Sequence, residues 1–230
     1  QFVEDYDDPD GDVIRYRYAM GWDIPPPGRE VTDVRRFLAT MRPDGKPHGD
    51  TFHYVSTNTD VLGWVFERAC EQPLSDILSE YLWGPLGAEH DGYVTVDSHG
   101  AMRAAGGICV TPRDLARFGE MMRRRGVGAD GRQVVPGWWI DDINEHDSSA
   151  AWARGDFAEL FPGASYRSKW YQIDRTEGVL CALGIHGQWI YIHPEAELVI
   201  VRLASEAIPL DPDHALSWRR GFDAIADAFL

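Results

Sequence analysis

Three short apolar runs at 178–183, 188–193 and 198–203, each set off by turn residues, constrain this chain more than any other feature. Runs of that length between turns predict an antiparallel meander. A last helix is predicted over 212–229, and upstream of residue 177 the apolar spacing is helical. Helices first, then three strands and a helix, make an α+β arrangement, and its sheet needs more strands than this segment supplies. The chain has no internal repeat and no low-complexity tract.

Several helices can be placed. Val31, Val34, Leu38 and Met41 have helical spacing. Asn58 or Thr59 can cap a helix running through Cys70, with Val61, Leu62, Val65 and Phe66 expected inward. Pro73 opens a helix over 74–82, stopped by Trp83-Gly84-Pro85-Leu86-Gly87. In Thr111-Pro112-Arg113-Asp114 the threonine is an N-cap, the proline takes the first helical position and the aspartate faces the dipole. The stripe Leu115, Phe118, Met121 and Met122 then runs until Gly126, and Pro136 opens a short helix with Trp138, Trp139 and Ile143. Residues 1–30 are rich in Asp, Tyr, Gly and Pro and read as an irregular loop anchored by Tyr6, Tyr16, Tyr18 and Trp22, the kind that walls a site. Within one domain this gives a site-wall region (1–50), a helical lobe (51–177) and C-terminal strands with a helix (178–230).

Composition removes several function classes. With 230 residues, 44% of them hydrophobic, the chain can bury the core of one large domain or two small ones. No apolar run approaches the ~18 residues of a membrane span, so a soluble protein is expected. A net charge of −15 argues against nucleic acid. The one basic cluster, Arg123-Arg124-Arg125, falls at a predicted helix end, where it offsets the dipole. Cys70, Cys109 and Cys181 are odd in number, widely spaced and set in apolar stretches. They are expected to act as small buried hydrophobes in a reducing, cytoplasmic setting, without disulfide, zinc or catalytic work. His48, His53 and His90 lack metal-ligand spacing, and Asp7-Asp8-Pro9-Asp10-Gly11-Asp12 lacks the glutamate of a calcium loop, so no cofactor is expected. The start, Gln1-Phe2-Val3-Glu4-Asp5-Tyr6, has no leader features and no Met, and further sequence upstream is expected.

The sharpest chemical signal is Phe52-His53-Tyr54-Val55-Ser56-Thr57-Asn58-Thr59-Asp60-Val61-Leu62-Gly63. A tyrosine just before a helix can aim its hydroxyl into a cleft from a rigid base. Its pKa of about 10 makes it a poor base unless cations stabilise the phenolate. Taken alone, Tyr54 reads as a core aromatic. The stretch resembles the tyrosine motif of class C β-lactamases, related carboxylesterases and 6-aminohexanoate-dimer hydrolases. Three others follow in that family's order: Trp83-Gly84-Pro85-Leu86-Gly87; Gly106-Gly107 with Thr111-Pro112-Arg113-Asp114-Leu115-Ala116-Arg117-Phe118; and Gly184-Ile185-His186-Gly187-Gln188 followed by Pro194. The resemblance covers nearly the whole chain, and the dimer-hydrolase branch is nearest.

The resemblance implies a β-lactamase/transpeptidase-like α+β fold, an antiparallel sheet flanked by helices plus a helical lobe, with this chain as its C-terminal part. It also implies a serine hydrolase that cleaves a small amide or ester through an acyl-enzyme. A Ser-x-x-Lys serine attacks, Tyr54 shuttles the proton, and amides near Gly184 and Ile185 supply half of the oxyanion hole. Tyr6, Trp22 and Trp170 match substrate-contacting aromatics. His186 is the nearest substitute for the missing Lys-Thr-Gly cation. Two departures stand out: Tyr54-Val55-Ser56 replaces the usual Tyr-x-Asn, and no cation lies near 179–184. No Ser-x-x-Lys exists either, because the two lysines, Lys46 and Lys169, follow Pro43 and Tyr166 at the third position back. Ser165 and Ser168 beside Lys169 have the wrong spacing. The nucleophile is therefore expected upstream. The rival readings are a β-lactamase or D-alanyl-D-alanine peptidase, and an inactive binding module that keeps the cleft. Expected partners are the small substrate, the N-terminal segment of the same protein and, as an option, a second copy of the chain.

Overall fold

The computed structural model describes residues 2, 5, 8–42 and 47–230. In chain order, helices α1 (Asp12–Ala19), α2 (Val34–Thr40), α3 (Ser56–Cys70) and α4 (Leu74–Leu78) lead to a π-helical turn (Ser79–Trp83) and the short α5 (Gly84–Leu86). Strands β1 (Tyr93–Val94) and β2 (Ile108–Cys109) follow, then α6 (Pro112–Arg123), α7 (Gly137–Glu145) and α8 (Ser149–Trp152). Strands β3 (Ser165–Arg167), β4 (Trp170–Asp174), β5 (Val179–Gly184), β6 (Gln188–His193) and β7 (Leu198–Arg202) precede α9 (Pro212–Asp227). Two compact units result: Gln1–Pro47, Tyr54–Ser79 and Gly92–Cys109 make the first, and His48–His53, Glu80–Asp91 and Val110–Leu230 the second. None of the described helices is long and apolar enough to cross a membrane.

The second unit is built on an antiparallel sheet in the order β3-β4-β5-β6-β7. Its last three strands fall on the three apolar runs. The first two lie inside the segment expected to be helical. Ser168 and Lys169, both left-handed (φ 50 and 74), join them in a two-residue hairpin with Arg167 opposite Trp170. Such turns announce themselves as Asn-Gly, and Ser-Lys carries no such signal. Helices α6 and α7 bury Met121, Met122, Ile140 and Ile143 with Leu180 and Ile192 of the sheet. Contact between α6 and the sheet is close at Gly119, where a Cβ would lie 2.6 Å from Val199 Cγ1. The α6 cap is as expected: Thr111 Oγ1 accepts from Asp114 N–H at 3.1 Å. The three arginines at its end are taken up locally, Arg123 by Glu120, Arg124 by the Gly128 carbonyl and Arg125 by Asp141. On α9, Phe222 packs edge-on to Trp189, centroids 5.6 Å apart.

The first unit buries Val13, Tyr16, Met20, Val34 and Phe37 from α1 and α2. Helix α1 lies in the stretch read as loop. Val13, Tyr16 and Met20 have helical spacing that the surrounding Asp, Gly and Pro obscured. In α3 the expected face is reversed: Val61, Leu62, Val65 and Phe66 are 43–55% exposed, whereas Ser56, Thr57, Asp60 and Gly63 are buried. The inward face is small and polar because Gly63 sits tight on its neighbours. A Cβ there would lie 2.7 Å from Ala104 Cβ and 3.1 Å from Leu74 Cδ2. The helix also begins earlier than expected, with Val55 as its N-cap residue. Of the cysteines only Cys181 is buried; Cys70 and Cys109 are exposed, so apolar neighbours in sequence did not mean burial.

Candidate active site

Tyr54 stands two residues before α3, half-buried, in the extended segment that enters the helix. What fixes this entry is Asp60, one turn into α3. Its Oδ1 accepts the Ala104 and Ala105 N–H groups at 2.7 and 2.9 Å, and its Oδ2 accepts the Tyr16 hydroxyl. Arg103 Nε donates to the Tyr16 oxygen at 3.0 Å, and its guanidinium lies 3.8 Å from the Trp22 ring centroid and 4.9 Å from that of Tyr16. Trp22 Nε1 donates to Thr95 Oγ1 at 3.2 Å. Burial pushes the Tyr16 phenol far above its usual range; Arg103 opposes that shift and the Asp60 charge adds to it. Tyr16 therefore stays protonated and donates to Asp60. A buried carboxylate, a cation and two aromatics thus brace α3 in one network, in which Arg103 Nη1 is the one buried polar atom left without a partner among the described residues.

The Gly-Gly motif has a structural cause in the same unit. Gly107 is left-handed (φ +82), and a Cβ on it would overlap Thr95 Oγ1, the atom that holds Trp22. Trp22 is half-buried, its polar edge spent on Thr95 and one face on Arg103. Tyr6 lies outside the described residues. Asp60 and Arg103 were not singled out in the sequence. The one signal available was an aspartate directly after the polar run Ser56-Thr57-Asn58-Thr59 and ahead of Val61 and Leu62.

In the second unit Gly184, Ile185 and His186 come together in the turn between β5 and β6, with Gly184 paired to Gln188. His186 (φ +61) and Gly187 (φ +82) are both left-handed. The His186 backbone N–H donates to the Pro209 carbonyl at 2.8 Å, and its ring Nδ1–H donates to the Glu206 carbonyl at 2.7 Å. In the neutral ring that leaves Nε2 as an acceptor. Among the described residues the Ile185 N–H has no acceptor within the protein. An unpaired amide on a braced turn can donate to a developing oxyanion. Trp170 is 4% exposed and stacks on Phe118 (6.1 Å, 24°), a side chain committed to the core.

The Thr111–Asp114 segment is also structural. Asp114 is fully buried and accepts from Glu89 N–H (2.8 Å), the Thr111 hydroxyl (2.7 Å), Arg117 Nη1 (2.8 Å) and His90 Nδ1–H (3.2 Å). These donors, the Glu89 amide foremost, hold its carboxyl at about 2. Among the described residues no cluster of His, Cys, Asp or Glu could hold a metal ion.

Comparison with known proteins adds three findings. A sequence model of the beta-lactamase family matches residues 4–223. The 6-aminohexanoate-dimer hydrolase of Paenarthrobacter ureafaciens is 39% identical over 212 residues, which cover 92% of this chain and 52% of that protein. A proposed 6-aminohexanoate-dimer hydrolase from Bacillus anthracis superposes with a TM-score of 0.83 at 26% identity, over 98% of this chain and 57% of the other. A beta-lactamase from Mycobacterium bovis shares the fold alone, with a TM-score of 0.56 at 20% identity over 95% of this chain and 84% of the other. The chain thus spans about half the length of the dimer hydrolases it matches.

Proposed function

The chain belongs to the beta-lactamase family and has its antiparallel-sheet fold flanked by helices, and from that premise we propose that it is part of a serine hydrolase that cleaves small amides or esters. The observation that carries this reading is the 39% identity to a 6-aminohexanoate-dimer hydrolase over 212 residues, 92% of this chain. In the complete protein a serine of a Ser-x-x-Lys motif, outside these 230 residues, attacks the carbonyl carbon. Its hydroxyl proton passes through Tyr54 to the departing amine or alcohol, so that the carbon–heteroatom bond breaks as the ester to serine forms. The Ile185 N–H donates to the carbonyl oxygen as it gains charge. Water then attacks the acyl-enzyme along the same proton route, releasing acid and regenerating the serine. Trp22 and His186 fit as substrate contacts. The remaining N-terminal part of the protein is the partner this reading requires.

Turnover of p-nitrophenyl esters and of a linear 6-aminohexanoate dimer by the complete protein tests the proposal. Replacement of the upstream serine should abolish both turnover and fluorophosphonate labelling. Tyr54→Phe should lower kcat by about 10²–10⁴-fold; an unchanged kcat would remove Tyr54 from the mechanism. One observation favours a second reading, an inactive binding module: no lysine here has a serine three residues before it. A complete protein that lacks Ser-x-x-Lys throughout, and binds the dimer without cleaving it, would decide for that reading.

A further inference from the structure

We propose that Gln188 is a positioning residue for the Ile185 amide, an inference that rests on reading that amide as an oxyanion donor. The turn it serves is not self-supporting. His186 is left-handed, a conformation that non-glycine side chains disfavour, and it is followed at once by left-handed Gly187. Pro209 and Glu206 hold His186 itself and Arg202 holds Gly187, while the Gln188 side chain is what reaches the Ile185 carbonyl. Its Nε2 donates to the Ala204 carbonyl at 2.6 Å and to the Ile185 and His186 carbonyls at 3.2 and 3.1 Å. Its Oε1 accepts from the Ala204 N–H at 3.0 Å. A carboxamide has two N–H bonds: one serves Ala204, and the other is shared between the two turn carbonyls. The stem of Gln188 lies against Gly184, where a Cβ would fall 2.9 Å from Gln188 Cβ and 3.1 Å from its Cγ.

Residue 185 is therefore gripped from both sides. Gly184, which precedes its amide, is packed under the Gln188 stem, and its own carbonyl is held by the Gln188 amide. The anchor for this grip is the segment after β7, through Ala204, and that segment is itself fixed to the turn. Arg202 bridges the Gly187 carbonyl (2.5 Å) and Glu206 (2.7 Å). With these bonds made, the Ile185 N–H is left as an unpaired donor on a turn with little freedom to move. Preorganisation of that kind distinguishes an oxyanion donor from an ordinary loop amide.

Two variants of the complete protein test this. Gln188→Met keeps the stem and removes every polar bond, and Gln188→Glu keeps the acceptor for the Ala204 N–H and removes the donors. Turnover of a p-nitrophenyl ester should show kcat reduced about 10–100-fold with KM within about twofold, since a loosened donor weakens transition-state contacts and spares substrate binding. The backbone order parameter of the Ile185 amide by NMR should fall from the rigid ~0.85 to below about 0.6. A residue that only stabilised the fold would lower the melting temperature and leave kcat of the folded protein unchanged. An Ile185 amide as ordered in both variants as in the wild type overturns the inference whatever the turnover. A loosened amide with unchanged kcat overturns it too, by removing Ile185 from the oxyanion hole. A wild-type protein without turnover sinks the hydrolase reading instead, and the order parameter then decides alone whether Gln188 sets the turn.

Discussion

Asp114→Ala should be among the most damaging single substitutions in the second unit. The wild-type carboxylate is fully buried and satisfies four donors from Glu89, His90, Thr111 and Arg117. On truncation Arg117, 28% exposed and also paired with Glu89, can recover some water, as can the Thr111 hydroxyl. The part-buried Glu89 N–H loses its acceptor as well, and leaving a donor unsatisfied costs up to about 1–3 kcal/mol. With the lost charge-assisted bonds the total should be about 3–4 kcal/mol, in line with breaking a buried ionic pair. For a chain of this size that corresponds to a fall in melting temperature of roughly 6–16 °C. The pH dependence separates this account from simple loss of packing. Because the native donors depress the folded pKa to about 2, Asp114 contributes its stability above the unfolded value near 3.9 and loses it as pH falls towards 2. Urea unfolding of wild type and Asp114→Asn at pH 7, 5 and 3.5 should therefore show a gap that narrows at the lowest pH. A loss below about 1 kcal/mol for Asp114→Ala, or a gap at pH 3.5 as wide as at pH 7, would refute the reasoning.

Gly107→Ala should destabilise by about 2–4 kcal/mol, the left-handed backbone and the overlap with Thr95 acting together, and the double variant with Thr95→Ala should recover the overlap part alone in a thermal melt. Tyr16→Phe leaves Asp60 Oδ2 and Arg103 Nε without their shared partner, and an equilibrium denaturation curve should show a loss of about 2–3 kcal/mol. Burial raises the Cys181 thiol well above its ordinary value, so iodoacetamide at pH 8 should label Cys70 and Cys109 in the native protein and Cys181 after denaturation only, as read by mass spectrometry.

Locally encoded features of the fold were open to the sequence. The meander of β5, β6 and β7 follows from apolar runs between turn residues. The start of α6 follows from Thr111, Pro112 and Asp114, because a cap satisfies the backbone of its own helix. Tyr54 and the Gly184–Ile185 turn were found as ordered motifs. The structure shows Tyr54 two residues before α3, the helix that Asp60 braces, and Ile185 in the turn whose carbonyls Gln188 holds.

Only the tertiary structure could decide which face of α3 turns inward. Periodicity pointed to Val61, Leu62, Val65 and Phe66. The buried side is set instead by Asp60, whose partners Tyr16 and Ala104 each lie 44 residues away in opposite directions along the chain. An aspartate is buried only when distant donors converge on it, and nothing within one turn of sequence records their arrival. The same holds for Ser168-Lys169, a left-handed turn forced by the pairing of β3 with β4, and for Gln188, whose polar bonds reach across to Ala204. Residue pattern specifies what a segment can do with its immediate neighbours; long-range hydrogen bonds choose among those options, because they form only once the chain has brought their partners together.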